Sequence, residues 1–217
     1  MSEVHILGHC NATLAILVDT LGVSKREIST INIVSNITVS DETPWMPHDL
    51  FEFGVRELQS SEWDGKFQHL IMGVYKPETK RIVLDEFSRS HGVRISDYSC
   101  LFHPAAIASP QSEFGHGVYL APGSIVSPFA SIGDMVTVNR NTSIGHHTRI
   151  GAFTSINPGC DIAGKCRIGE HVSIGMGTVI MDGLTIGRNV VIGAGSIVNK
   201  SLPDDVVAWG SPAKVIK

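Results

Sequence analysis

The apolar positions of this chain follow two different rules, and the change comes near residue 102. From Phe114 onward an apolar residue recurs at every sixth position without a break, through Leu120, Val126, Ile132, Val138, Ile144 and Ile150 to Ile192 and Val198. The residue after it is usually Gly or another turn former, as at Gly133, Asn139, Gly145, Gly151 and Gly169. The fifth residue of each unit is small or apolar, as at Ser124, Thr142, Thr148, Cys160 and Cys166. A helix repeats its apolar face about every 3.6 residues and a half-buried strand every second residue, so a period of six fits neither alone. It predicts a short strand, a bend and another short strand, with three units closing one coil of a triangular parallel β-solenoid. The branched residue then fills the core, the small fifth residue packs beside it, and Gly or Asn takes the bend. Fifteen units starting at Phe114 make five coils, a prism about 24 Å long at the inter-strand spacing.

Residues 1–102 do not repeat. "VHILGH" reads as a buried strand, and "NATLAILVDTLG" as a helix that Asn11 would cap. "STINIVSN" reads as a second strand, "FQHLIMGVY" as a third, and "KPETKRIVLDEFSRSHG" as a helix with Pro near its start. Strands alternating with helices predict a small parallel α/β domain, Rossmann-like in layout, over 1–102. "DETPWMPHDLFEFG" is read as a loop near its ligand, and "ISDYSCLFHP" as a last strand leading into a solenoid domain over 103–217 with a C-terminal tail. Ligands of such sheets gather at the carboxyl ends of the strands. The turn after the first strand, Gly8-His9-Cys10-Asn11-Ala12, holds a single glycine and no dinucleotide fingerprint, which argues against a nicotinamide dehydrogenase.

Composition narrows the class further. A net charge of −4 offers no overall basic character for nucleic acid. No apolar run approaches the ~20 residues of a membrane span, and the start "MSEVHILGHC" has no basic region leading into a signal core. The four cysteines, Cys10, Cys100, Cys160 and Cys166, show no disulfide framework, and a reducing cytoplasm is the expected location.

A small α/β domain followed by a hexapeptide solenoid resembles the sugar acyltransferases of the NeuD/PglD type. The likeness covers almost the whole chain and is most specific from Val138-Asn139 through Ile144-Gly145-His146 to Ile150-Gly151, with further matches at "FHPAA", "IGAGSIV" and "GSPAKVI". The resemblance implies a left-handed parallel β-helix, a homotrimer, and acetyl-CoA bound between neighbouring solenoids. It implies a sugar or nucleotide-linked amino sugar as acceptor and no required metal. It also implies that His146 is the general base and that its neighbour, usually Asp or Glu in the family, tunes it. Here that neighbour is His147. The family's acetyl-CoA positions fall on Ser155, which replaces a histidine, and on Met176 and Ala194. Its nucleotide-sugar loop falls on Cys10, Asn11 and Ala12, and an acidic pair after the second strand falls near Ser35 and Asn36.

Residues eighteen apart stack in successive coils, which places Gly164 directly beyond His146 and leaves space there for a ligand. Neutral imidazole suits removal of a proton from an attacking amine or hydroxyl near neutral pH. Against this stands the plain reading that His146 is an exposed corner residue and Gly164 a bend former. His147 is in turn a solvated residue on that view, and Cys160 and Cys166 are core fillers. Two rivals remain at this level: a γ-carbonic-anhydrase-like metal enzyme, although His116, His146 and His171 do not lie in one column, and a scaffold that kept the solenoid without catalysis.

Overall fold

The computed structural model describes residues 2–8, 10–24, 27–35 and 53–217, and leaves the side chains of residues 11 and 12 undescribed. Asn36, His9, His48 and most of the Pro-rich loop lie outside the described residues. The chain divides into two compact units, Met1–Pro104 and Ala105–Lys217.

Among the described residues, the first unit is a four-stranded sheet with two α-helices. Its strands are β1 (Ser2–Leu7), β2 (Ile28–Ser35), β3 (Gly54–Gln59) and β4 (His69–Met72), and its helices are α1 (Asn11–Val23) and α2 (Pro77–His91). All pairings are parallel, in the order β3-β2-β1-β4. β1, β2 and β4 are buried along residues 4–7, 31–34 and 70–72, where apolar side chains predominate and the polar pair His5 and Asn32 meet each other. β3, "GVRELQ", escaped the sequence reading because it is an exposed edge strand with little apolar signal. α2 starts on Pro77, whose missing N–H costs nothing there, and ends on Gly92 in the left-handed conformation (φ 68°). Asn11 does not cap α1. The cap position belongs to Cys10, with no side-chain cap bond, so the helix begins one residue earlier than expected, on Asn11 itself. The proposed strand "ISDYSCLFHP" is instead a 3-10 turn at Ile95–Asp97 followed by the two-residue strand Leu101–Phe102.

The second unit is the solenoid, and it begins one repeat earlier than Phe114, with Ile107–Ala108. Strands of two residues stack eighteen positions apart on three faces. Face one carries Glu113–Phe114, Ser131–Ile132, Arg149–Ile150, Arg167–Ile168 and Thr185–Ile186. Face two carries Tyr119–Leu120, Thr137–Val138, Ser155–Ile156, Ser173–Ile174 and Val191–Ile192, and is extended by Val207–Gly210 and the antiparallel Ala213–Val215. Face three runs from Ile107–Ala108 to Ile197–Val198. The second residue of each strand points inward. Ile144, Ile156, Ile162 and Ile180 are at most 1% exposed, and burying each contributes about 1.5–3 kcal/mol.

Two details of the repeat differ from the sequence reading. Left-handed backbone does not fall on the glycine after each apolar residue but two places further on, at Phe129, Met135, Asn141, His147, Phe153, Lys165 and their equivalents (φ 54–61°). The glycine is there for space: a Cβ on Gly145 or Gly151 would lie 2.5 Å from the backbone of the next coil. The small fifth residue does more than fill. The Thr148 hydroxyl donates to the Ala163 carbonyl (2.8 Å) and accepts from the Cys166 amide (3.1 Å), and Thr142 and Thr154 repeat the pattern. These residues therefore satisfy buried backbone groups at the corners, where no ladder partner exists.

Candidate active site

The corner between faces three and one holds Gly145-His146-His147-Thr148. Its backbone is pinned to both neighbouring coils, since the His147 amide donates to the Pro128 carbonyl (3.3 Å) and the His146 carbonyl accepts from the Lys165 amide (2.8 Å). Both histidines are exposed. Their Nδ1 atoms lie 3.0 Å apart, with ring planes at 89°. One of the two must carry the shared hydrogen. If His146 donates, its Nε2 keeps a free lone pair, the form a general base needs. His147 also packs on Phe129, with ring centroids 4.9 Å apart.

Gly164 is where the eighteen-residue stagger puts it, but the space it leaves is already used. A Cβ there would stand 2.9 Å from Cε1 and Nε2 of His146, so the imidazole itself lies over the glycine. The missing side chain thus lets the base lie flat on the next coil rather than admitting a ligand between them.

The other expected positions are not gathered at this corner within one chain. Ser155 sits on face two and is 2% exposed. Met176 and Ala194 are exposed at the corner between faces two and three. Cys10 and the buried Ser35 lie in the first unit, past the end of β1 and at the end of β2. There Gly8 and Gly73 bring the carboxyl ends of β1 and β4 together, because a Cβ on Gly73 would overlap the Gly8 carbonyl. Lys80, in the first turns of α2, is 1% exposed, and burial lowers its amine to about 7. Sequence reading passed over it, since nothing in "PETKRI" distinguishes a buried lysine from a solvated one. Cys160 and Cys166 point into the solenoid, donate to the Gly175 and Met181 carbonyls, and have thiols pushed up by burial, which suits core filling.

Comparison with known proteins adds to this geometry. The bacterial transferase hexapeptide (six repeats) family model matches residues 165–200. No curated protein matches the sequence. Among solved structures, a histidine-to-asparagine variant of perosamine N-acetyltransferase from Caulobacter crescentus, in complex with CoA and GDP-perosamine, superposes with a TM-score of 0.76 at 25% identity, over 100% of this chain and 97% of that one. The chain has the architecture of a hexapeptide-repeat sugar acyltransferase. The acetyltransferase domain of PglB from Neisseria gonorrhoeae FA1090, in complex with acetyl coenzyme A, gives 0.79 at 23% identity over 99% of both chains. WeeI from Acinetobacter baumannii AYE gives 0.75 at 18% identity over 100% of both. The hexapeptide-repeat fold read from the sequence, an α/β unit followed by a left-handed β-helix, is thus shared along the whole length. Among the described residues no helix is long and apolar enough to cross a membrane.

Proposed function

We propose that the protein transfers an acetyl group from acetyl-CoA to an amine or hydroxyl of a sugar or nucleotide-linked amino sugar, directly, with His146 as general base. The observation that carries this reading is the His146 imidazole, held through Nδ1 by His147 and laid over Gly164 at a pinned corner. It stands in a fold whose solved examples bind CoA and GDP-perosamine. The acceptor nitrogen or oxygen attacks the thioester carbonyl and gives its proton to Nε2 of His146. Collapse of the adduct breaks the C–S bond, and the departing thiolate takes a proton to become CoA thiol. His147 accepts from Nδ1 of His146 and so holds the tautomer this step requires, the part an acidic residue plays in the resembling family.

Because Ser155, Met176 and Ala194 lie away from His146 in one chain, the cofactor site on this reading is completed by a second copy, in a homotrimer. The first unit would hold the nucleotide part of the acceptor near Cys10, Asn11, Ala12, Ser35 and Asn36. A stable monomer with full activity in light scattering would remove the shared site. The function itself is tested by thiol release from acetyl-CoA against a panel of nucleotide amino sugars and sugars. Release with an acceptor and an acetylated product by mass spectrometry is the expected result. No release with any acceptor, together with stoichiometric zinc in the purified protein, would favour the metal-enzyme reading instead.

A further inference from the structure

A groove of about 490 Å³ opens on face one beside the histidine corner, lined by Gln111, Glu113, Phe129, Ser131, His147 and Arg149. Its shape follows from one column of outward residues. Glu113, Ser131 and Arg149 face out from successive strands in register, so the short serine leaves a dent between a carboxylate and a guanidinium about 10 Å apart. Phe129, 53% exposed, and the His147 ring wall the dent on the corner side. The column continues with Arg167 directly opposite Arg149 on the next strand. Lys165 follows His147 along the corner.

Arg149, Arg167 and Lys165 are all exposed, and none of them forms an ion pair among the described residues. Like charges directly opposite on neighbouring strands repel. In a chain of net charge −4 such a pair is a local exception that an anionic ligand would relieve. Two guanidinium forks one strand apart suit the oxygens of a diphosphate, each fork taking a bidentate pair. The carboxylate at the far end sets a direction. Glu113 repels phosphate and accepts from hydroxyls, so a ring rich in hydroxyls belongs at that end, with its apolar face on Phe129.

We propose that this groove is a binding site for a diphosphate ester, with the phosphates on Arg149 and Arg167 and a hydroxyl-bearing ring between Phe129 and Glu113. The site lies on the coil of the base, and the inference rests on the acyltransferase reading, in which both substrates can bring a diphosphate to this corner. The chemistry is common to CoA and to a nucleotide sugar, and the experiment separates them. Isothermal titration of the full chain uses acetyl-CoA, GDP-perosamine and inorganic pyrophosphate as separate probes. Arg149→Gln with Arg167→Gln should weaken pyrophosphate and one of the two organic probes at least tenfold and leave the other unchanged, which names the source. Phe129→Leu should weaken that same organic probe and spare pyrophosphate. A matching loss in Arg89→Gln, whose exposed charge lies on the last turn of α2 in the first unit, would reduce the effect to general electrostatics and overturn the site. So would wild-type affinities in the double variant, or wild-type protein that binds none of the three. Titration needs no turnover. Unchanged binding in an active double variant sinks the groove alone, whereas binding without any acetyl transfer sinks the functional reading.

Discussion

Replacing His147 by Asp restores the acidic neighbour of the resembling family and tests whether the two side chains at this corner communicate. The backbone does not confound the change, since His147 has φ 60° and Asp tolerates that left-handed region at least as well as His. In the parent the neighbour contributes no charge when neutral and repels an imidazolium when protonated. In the variant a carboxylate stands near Nδ1 of His146, where His147 now approaches to 3.0 Å. At that separation a unit charge pair is worth about 1.4 kcal/mol with the screening of bulk water, the appropriate limit for two exposed groups. Favouring the imidazolium by that amount moves the acid limb of kcat/KM upward by about one pH unit. His147→Asn, which accepts the same hydrogen bond without charge, should move it much less. The assay is a pH series of thiol release under subsaturating acceptor, using a hydroxyl acceptor or an amine that titrates outside the range. A limb that stays put or moves down in the Asp variant would show that His147 is a bystander at the corner.

Other outcomes follow from named contacts. Gly164→Ala should fold normally, because the atoms it displaces are the tip of a side chain, yet lose about 10²-fold in turnover as the imidazole is pushed off its seat. An unchanged rate would free the base from that seat. In the first unit, His5 is 5% exposed, with Nε2 on the Asn32 amide (3.1 Å) and a buried Nδ1 that has no partner among the described residues, and burial lowers its pKa. The folded state therefore resists protonating it, so stability is fully present above about pH 6.5 and declines as pH falls below the unfolded-state value. Urea titrations from pH 7.5 to 5 should show that decline, and His5→Asn should flatten it. A slope identical in both proteins would place the acid sensitivity elsewhere.

The solenoid was legible because its periodicity is dictated by packing: every sixth side chain has nowhere to go but the core, and no local propensity competes. The reasons for individual residues were less legible. Gly145 looks the same in sequence whether it serves a bend or a close approach, and only the neighbouring coil decides. Thr148 reads as a small filler until its hydroxyl is seen bridging two coils. β3 was missed because an edge strand needs little apolar content. At the site, the stagger of eighteen placed Gly164 beside His146 correctly but could not tell a space for ligand from a seat for the ring. The same stagger, applied to face one, would have found Glu113, Ser131 and Arg149 in one column. What it lacked was the outward direction of the first residue of each strand. Ser155, Met176 and Ala194 rest on resemblance alone, and a single chain keeps them away from the base.

The most direct test of the account is His146→Ala, measured for acetyl-CoA binding by titration and for acetyl transfer by thiol release. The variant should bind acetyl-CoA within about twofold of the parent and turn over about 10²- to 10⁴-fold more slowly, the usual share of a general base. Near-normal turnover with a good acceptor would contradict it, and would leave His146 as an exposed residue at a corner of the solenoid.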